Sequence, residues 1–402
     1  MISRLHNQRV LLGVTGSIAA YKAPDLASQL TQAGALVDVI LTDSAARFIT
    51  ALSFESVTGR RVYTDLWAAD AHVQHIGLAE GAALLVVAPC SADTLAKLAH
   101  GRADNLLTIT ALAARCGLLL APAMDGGMWL HPAVQANMQT LLQRGARCAG
   151  PAAGRMASGH TGMGRMLEPQ QLLGHIRLAL GAGGVLAGRQ FVVTAGATHE
   201  AIDPVRLLTN RSTGKQGFAL AQAALDLGAQ VTLISGPSTL ETPVGAVRVD
   251  VQTGQQMQSA VLQAAAKADA LLMAAAVSDY RPQAAAPQKL KRSAAATTLV
   301  LEPNPDVLAA VVAQRTQSGW PRVLVGFAAE SENLLENAAA KLRTKKLQLV
   351  AANNISEPGA GFGTDTNRVT LLDAHGGVEE LPLQSKALVA EHICARVAAL
   401  LQ

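Results

Sequence analysis

Residues 192–217, VVTAGATHEAIDPVRLLTNRSTGKQG, decide how the second half of this chain folds and what it holds. The stretch opens as a short apolar run and breaks into glycine and threonine. It then passes through a polar loop into a helix predicted to start near Thr213. A strand that hands a small-residue loop to a helix N-terminus presents backbone N–H groups to an anion, a common way to hold phosphate. Arg206, Asn210, Arg211 and Lys215 add cationic and amide donors to the same loop. The spacing is not GxGxxG, so the dinucleotide fingerprint does not apply. The plainer alternative is a polar loop leading into an ordinary capped helix.

Composition agrees with a layered α/β protein. The 402 residues are half apolar and only 3% aromatic, so the core is built from Ala, Val and Leu. That length predicts two or three domains. The net charge of +4 is mild, and the one short basic cluster is Lys289, Lys291 and Arg292. Nucleic acid is therefore not an expected partner, whereas small anionic substrates are. Cys90, Cys116, Cys148 and Cys394 show no CxxC spacing and read as core residues in a reducing compartment. The polar stretch Met1–Arg9 does not read as a signal peptide, and no apolar run approaches the ~18 residues of a membrane span. The expectation is a cytoplasmic protein with no membrane partner.

In the first half, apolar runs are predicted as strands at Arg9–Val14, Val37–Leu41, Leu84–Ala88 and Leu118–Leu120. They end in TGS (15–17), TDS (42–44), PCSADT (89–94) and APAMD (121–125), and Ile18–Ala33 reads as a helix with Ser17 near its N-cap. Strands alternating with helices argue a doubly wound parallel sheet, whose ligands lie beyond the strands' carboxyl ends. Hydroxyl-rich loops there suit one phosphate and one flat polar ring.

The first half resembles the flavin-dependent cysteine decarboxylases over roughly residues 8–178. The matching stretches are VTGSIAAYKAPDL (14–26), HIGLAEGAALLVVAPCSADTLAKLAHGRADNLL (75–107), LLLAPAMDGGMW (118–129) and GRMASGHTGMGRM (154–166). The resemblance implies an FMN site at Gly16, Ser17, Ser44, Pro89 and Ser91, and a catalytic role for His75. From the residues alone, His75 reads as a surface or capping histidine. Two positions depart from the family pattern. Asp125 stands where the family carries the asparagine that contacts the substrate carboxylate, so two like charges would meet. Ser158 stands where the branch that makes 4′-phosphopantetheine carries a proton-donating cysteine, and an alcohol is a far weaker acid than a thiol. Both departures predict slowed or altered decarboxylation.

Leu180–Gly188 is glycine-rich and reads as a linker. The predicted division is a flavin-binding domain over 1–180, a linker over 181–189 and a second Rossmann-like domain over 190–402. Beyond the linker, strands are predicted at Phe191–Thr194, Val231–Ile234, Leu271–Ala276, Val323–Phe327 and Leu349–Ala352. Helices are predicted at Thr213–Leu227, Thr253–Ala266 and Lys386–Leu400.

Over about 189–400 the chain resembles the cytidine-nucleotide-using phosphopantothenate–cysteine ligases. The stretches that carry this are TAGATHEAIDPVRLLTNRSTGKQG (194–217), LLMAAAVSDYRP (271–282), KLKR (289–292), NPDVL (304–308), VGFAAES (325–331) and AAAKLRTKK (338–346). The fused pair resembles the bifunctional coenzyme A biosynthesis family. The resemblance implies that 4′-phosphopantothenate, cysteine and CTP are substrates and that Mg²⁺ accompanies the phosphates. It places Asn210 on the acyl-cytidylate, Lys289 at its formation and Asp279 on nucleotide or metal. Ala275, Asn304, Pro305, Asp306, Val307, Phe327, Lys341 and Lys345 complete the nucleotide pocket. Alone, Lys341 and Lys345 read as a solvated helix face, Asp306 as an N-cap and Asp279 as a turn residue. Asn354 stands near a position where the family usually has aspartate. The resemblance also implies a homo-oligomer. Two alternatives stay open: a ligase whose decarboxylase half is altered, and a flavin-binding regulatory subunit.

Overall fold

The structure is a computed structural model that describes residues 5–67, 74–157, 159–292, 296–330, 332–357, 359–361 and 363–402. The chain forms two compact units that divide between Gly181 and Ala182.

In the first unit, strands β1 (Arg9–Val14), β2 (Leu36–Leu41), β3 (Val62–Tyr63), β4 (Leu84–Cys90), β5 (Gly117–Pro122) and β6 (Arg147–Cys148) form one sheet in the order β3-β2-β1-β4-β5-β6. Every pairing is parallel. Both faces are covered, which explains why the strands read as unbroken apolar runs. Leu12, Val14, Val39 and Val86 pack on one face, and Leu11, Ile40, Leu85 and Val87 on the other. The order reverses between β1 and β4, so the crevice beyond their carboxyl ends is the place for a ligand. The helix expected over Ile18–Ala33 is two pieces, a 3₁₀ turn at Ile18–Lys22 and helix α1 at Ala23–Gln32. Pro24 has no N–H to extend the first piece and sits instead in the first turn of the second. Helices α2 (Gln74–Gly81) and α3 (Ala92–His100) flank β4 in sequence. A hairpin of β7 (Ala152–Arg155) and β8 (Thr161–Arg165) follows β6.

The second unit holds an eight-stranded sheet. Its strands are β9 (Gln190–Ala195), β10 (Gln230–Ser235), β11 (Val247–Asp250), β12 (Ala270–Met273), β13 (Val323–Glu330), β14 (Leu349–Asn354), β15 (Thr370–Asp373) and β16 (Val378–Glu380). The order is β11-β10-β9-β12-β13-β14-β15-β16, parallel up to β14 and antiparallel beyond it. Here the order reverses between β9 and β12. The helices are α4 (Lys215–Asp226), α5 (Gly254–Ala265), α6 (Val307–Ser318), α7 (Leu334–Thr344) and α8 (Lys386–Leu400). The start of α4 falls two residues later than expected because its N-cap, Gly214, takes φ +83°, which a right-handed helix cannot continue.

Strand β12 is shorter than the expected Leu271–Ala276. After Met273 the Ala275 N–H turns to the Thr194 hydroxyl at 3.0 Å and the Ala276 N–H to the Gly196 carbonyl at 2.9 Å. Among the described residues no helix is long and apolar enough to cross a membrane.

Gly217 sets how closely α4 lies on β9. A Cβ there would stand 2.5 Å from Ala195 Cβ and 2.7 Å from the Thr194 carbonyl oxygen. Gly217→Ala gains about 1 kcal/mol of helix propensity, but overpacking against backbone costs about 1–3 kcal/mol. We expect overpacking to win, lowering the unfolding midpoint of the second unit by several degrees in calorimetry. An unchanged or raised midpoint would show that α4 can move outward at no cost.

Candidate functional site

Gly16, Ser17, Ser44, Pro89 and Ser91 stand at or beyond the ends of β1, β2 and β4, at the switch point of the first unit's sheet. The Thr15 hydroxyl, buried at the end of β1, donates to the Pro89 carbonyl at 2.7 Å and accepts the Ser91 N–H at 3.0 Å. It thereby ties the loop after β1 to the loop after β4. Ser17 accepts the Ala19 N–H at 3.3 Å, and Ser91 caps α3 by accepting the Thr94 N–H at 3.3 Å. Gly16 faces Ser44 so closely that a Cβ would stand 2.5 Å from Ser44 Cβ. Gly16, Ser17, Ser44, Pro89 and Ser91 therefore share one rim of hydroxyls, backbone N–H groups and the start of a helix. That donor set is neutral, and it fits a phosphate monoester attached to a polar ring system such as a flavin.

His75 is half-buried in the first turn of α2, and its Nδ1 is buried with no hydrogen-bond partner. The sequence context alone suggested a surface or capping histidine; the ring is half-buried and its Nδ1 makes no capping bond among the described residues. Asp125 caps a short helix at Gly126–Trp129 by accepting the Gly127 N–H at 3.0 Å. The β7–β8 hairpin lies directly on this turn: the Met124 N–H donates to the Gly164 carbonyl at 3.0 Å, and a Cβ on Gly126 would stand 3.0 Å from the Met163 oxygen. Ser158 lies outside the described residues. Cys90 is fully buried and Cys148 half-buried; burial pushes the Cys90 thiol far up, and the Cys148 thiol up to about 11. Neither is a ready proton donor.

The second unit has a cleft of about 650 Å³ at the carboxyl ends of its parallel strands, around the reversal between β9 and β12. It is lined by Asn210, Ala275, Asp279, Asn304, Pro305, Asp306, Val307, Phe327, Lys341 and Lys345. These come from separate loops and helices, and the sheet alone brings them together. Asn210 Nδ2 donates to the Ala276 carbonyl at 3.1 Å, fixing its amide at the mouth of β12. Asn304 Nδ2 donates to the Ser278 carbonyl at 2.9 Å, while Asn304 Oδ1 and Ser278 Oγ are buried without partners.

Lys341 donates to the Phe327 carbonyl at 2.6 Å, and burial pulls its pKa below the usual lysine range. It is not the solvated helix-face residue its spacing suggested. Asp306 caps α6 through the Ala309 N–H at 2.9 Å and also pairs with Lys345. Burial raises its carboxyl, but Lys345 and the cap outweigh this and hold it below the usual carboxylate range.

Lys289 is the exception. It is exposed on the segment between Pro282 and Leu301, next to Leu290, whose N–H donates to Asp203 at 3.2 Å, and it does not line the cleft. Nor does Asn354 line the cleft; its Oδ1 accepts the Ser356 N–H at 2.9 Å, whereas its neighbour Asn353 does line it. Sequence reading missed Lys386, Gln216 and Asn367, all of which line the cleft. A signal existed for Lys386: a lysine directly after the Ser385 N-cap sits against the helix dipole. Among the described residues no three His, Cys, Asp or Glu side chains form a metal-binding group.

Comparison with known proteins accounts for both halves. Residues 3–180 match the family model described as flavoprotein, and residues 186–401 match that of the DNA/pantothenate metabolism flavoprotein C-terminal domain. The chain is 44% identical over 393 residues to the coenzyme A biosynthesis bifunctional protein CoaBC of Vibrio cholerae, covering 97% of each chain. It is 43% identical over 401 residues to that of Bacillus subtilis, covering 98% of each. It is 45% identical over 398 residues to that of Mycobacterium tuberculosis, covering 96% of this chain and 95% of the relative. A flavoprotein half followed by a cleft-bearing α/β half, matched end to end at this identity, places the chain in the family of coenzyme A biosynthesis bifunctional proteins.

Proposed function

We propose that the cleft of the second unit joins 4′-phosphopantothenate to cysteine at the expense of CTP, and that the first unit, with FMN, then decarboxylates the product to 4′-phosphopantetheine. The observation that carries the ligase reading is the convergence of Asn210, Ala275, Asp279, Asn304, Phe327, Lys341 and Lys345 in one cleft. A regulatory flavin-binding subunit needs no such constellation.

In the ligase reaction a carboxylate oxygen of 4′-phosphopantothenate attacks the α-phosphorus of CTP, and the bond to pyrophosphate breaks. The cysteine amine then attacks the activated carbonyl carbon, CMP leaves, and the amine loses a proton. The protein's task is to position reactants and neutralise charge. Lys341 and Lys345 oppose the phosphate charge, and Asn210 orients the acyl group through an amide already fixed on Ala276. Asp279 is the protein ligand we assign to a Mg²⁺ ion held mainly by the phosphates, since this ion commonly takes one or two carboxylates and keeps its waters. Lys289 reaches the reactants from its exposed segment, as a mobile point charge.

In the first unit, bound FMN would supply reversible two-electron chemistry at the carbon bearing the substrate sulfur. Gly16, Ser17, Ser44, Pro89 and Ser91 hold it, and His75, with its unpartnered Nδ1, exchanges a proton with the substrate. A second reading concerns outcome. Asp125, at the position implied for the substrate carboxylate, and Ser158, at the position implied for the proton donor, would both act on one substrate. That predicts slow decarboxylation. The reading also includes association of like chains and a cytoplasmic location.

Incubation with CTP, cysteine, 4′-phosphopantothenate and FMN, followed by mass spectrometry, tests the whole scheme. CMP and pyrophosphate should appear in equal amounts, matched by the sum of the amide and its decarboxylated product; their absence would sink the ligase reading. Loss of the Lys341 proton weakens phosphate binding, so the KM for CTP should rise with pH at values below the usual lysine range. Lys341→Arg should move that rise to higher pH, and an unmoved profile would remove Lys341 from the site. The double change Asp125→Asn with Ser158→Cys should raise carbon dioxide release from phosphopantothenoylcysteine at least tenfold. No increase would mean that these two residues do not limit the reaction.

A further inference from the structure

The β7–β8 hairpin of the first unit has almost no apolar core of its own. In its two strands only Gly164 is buried, and a lone two-stranded hairpin is marginally stable at best in water. Its place on the Asp125 turn therefore depends on a few polar contacts. One is the bond from the Met124 N–H to the Gly164 carbonyl. Another lies at the root of the hairpin, where the Arg165 guanidinium at the end of β8 pairs with Glu168.

The backbone that carries Glu168 is firmly held. Its carbonyl accepts the Leu172 N–H at 3.0 Å at the start of the helix Pro169–Gly181, and its N–H donates to Gln171 Oε1 at 3.2 Å. Met166, two residues earlier, is 1% exposed and lies in the same apolar cluster as Ala20, Ala23 and Leu172. A carboxylate on such a base can act as a fixed peg.

That carboxylate has a second partner. Lys22 donates to it at 2.8 Å. Lys22 is only 9% exposed, and among the described residues no other carboxylate pairs with it. Removing one member of a buried pair leaves the other charge uncompensated. The link therefore differs from an exposed ion pair, which contributes little. The bond from Lys22 most of all, with Arg165 adding to it, holds the Glu168 carboxyl below the usual carboxylate range against the opposing pull of burial. Lys22 in turn closes the 3₁₀ turn that Ser17 caps, and Ser17 belongs to the rim assigned to FMN. One carboxylate thus joins the flavin turn to the root of the hairpin.

We propose that Glu168 is a positioning residue for the decarboxylation: it holds the root of the β7–β8 hairpin to the turn Ile18–Lys22 and so fixes the hairpin on the Asp125 turn. This rests on the decarboxylase reading above.

The test compares the full-length protein with Glu168→Gln, Arg165→Met and the double variant. Hydrogen exchange read by mass spectrometry should be at least fivefold faster over residues 152–165 in each variant, and within twofold over β1 and β4. With FMN bound, kcat/KM for phosphopantothenoylcysteine should fall at least fivefold in Glu168→Gln, while FMN affinity, read from flavin fluorescence, stays within twofold. The double variant should lose no more than the worse single one, because both changes break one link. Unchanged exchange in the hairpin, or equal acceleration in β1 and β4, would overturn the proposal. So would a faster hairpin with unchanged kcat/KM, a matching loss of FMN affinity, or additive losses in the double variant. Should Glu168→Gln fail to fold, Arg165→Met is judged by the same comparisons. If the unaltered protein releases no carbon dioxide, the decarboxylase reading falls. The exchange comparison needs no substrate and then decides alone whether Glu168 holds the hairpin.

Discussion

The close approach of Gly217 to Thr194 and Ala195 governs the second unit. With no Cβ between them, α4 lies directly on β9, and its first turn stands where that strand ends. The backbone N–H groups of the helix, Lys215 and Gln216 therefore face the same space that the loop after β12 enters. Asn210 is tied to that loop through the Ala276 carbonyl, and the Thr194 hydroxyl receives the Ala275 N–H. A wider spacing between helix and strand would part these contacts and disperse the cleft.

The two units meet similar geometric demands with different chemistry. Both place their loops at the reversal point of a parallel sheet. The first uses hydroxyls, backbone N–H groups and a helix start, with no full charge among Gly16, Ser17, Ser44, Pro89 and Ser91. Such a set suits a ligand that stays bound and whose ring electronics a nearby cation would disturb. The second uses lysines, some of them half-buried or buried. The triphosphate proposed for this cleft brings several negative charges to be neutralised as the bond to pyrophosphate breaks, and desolvated cations act strongly on such a group. The low pKa values of Lys341 and Lys386 are the cost of that placement.

Much of this was legible in the residues. Unbroken apolar runs ending in small polar loops announced parallel strands covered on both faces, and α8 falls at the expected Lys386–Leu400. Other features depended on long-range contacts. The division of Ile18–Ala33 followed from Pro24 alone and was open to reading, whereas the early end of β12 depends on bonds to Thr194 and Gly196, some 80 residues away in sequence. Lys341 and Lys345 have the spacing of a solvated helix face, and only the sheet shows that they line a cleft. Lys386 carried a local signal, a cation at a helix N-terminus, but its burial is a tertiary fact. Lys289 is exposed on the segment between Pro282 and Leu301, and its motif position alone suggested its part in forming the acyl-cytidylate.

The central claim is that the second unit activates a carboxylate on the α-phosphorus of a cytidine nucleotide. Its most direct test is isotopic. The protein is supplied with 4′-phosphopantothenate carrying ¹⁸O in its carboxylate, together with CTP and cysteine, and the phosphorus products are analysed by mass spectrometry. The account predicts one ¹⁸O atom in each CMP and none in pyrophosphate or inorganic phosphate. Label in inorganic phosphate, or amide formed with unlabelled CMP, would contradict it.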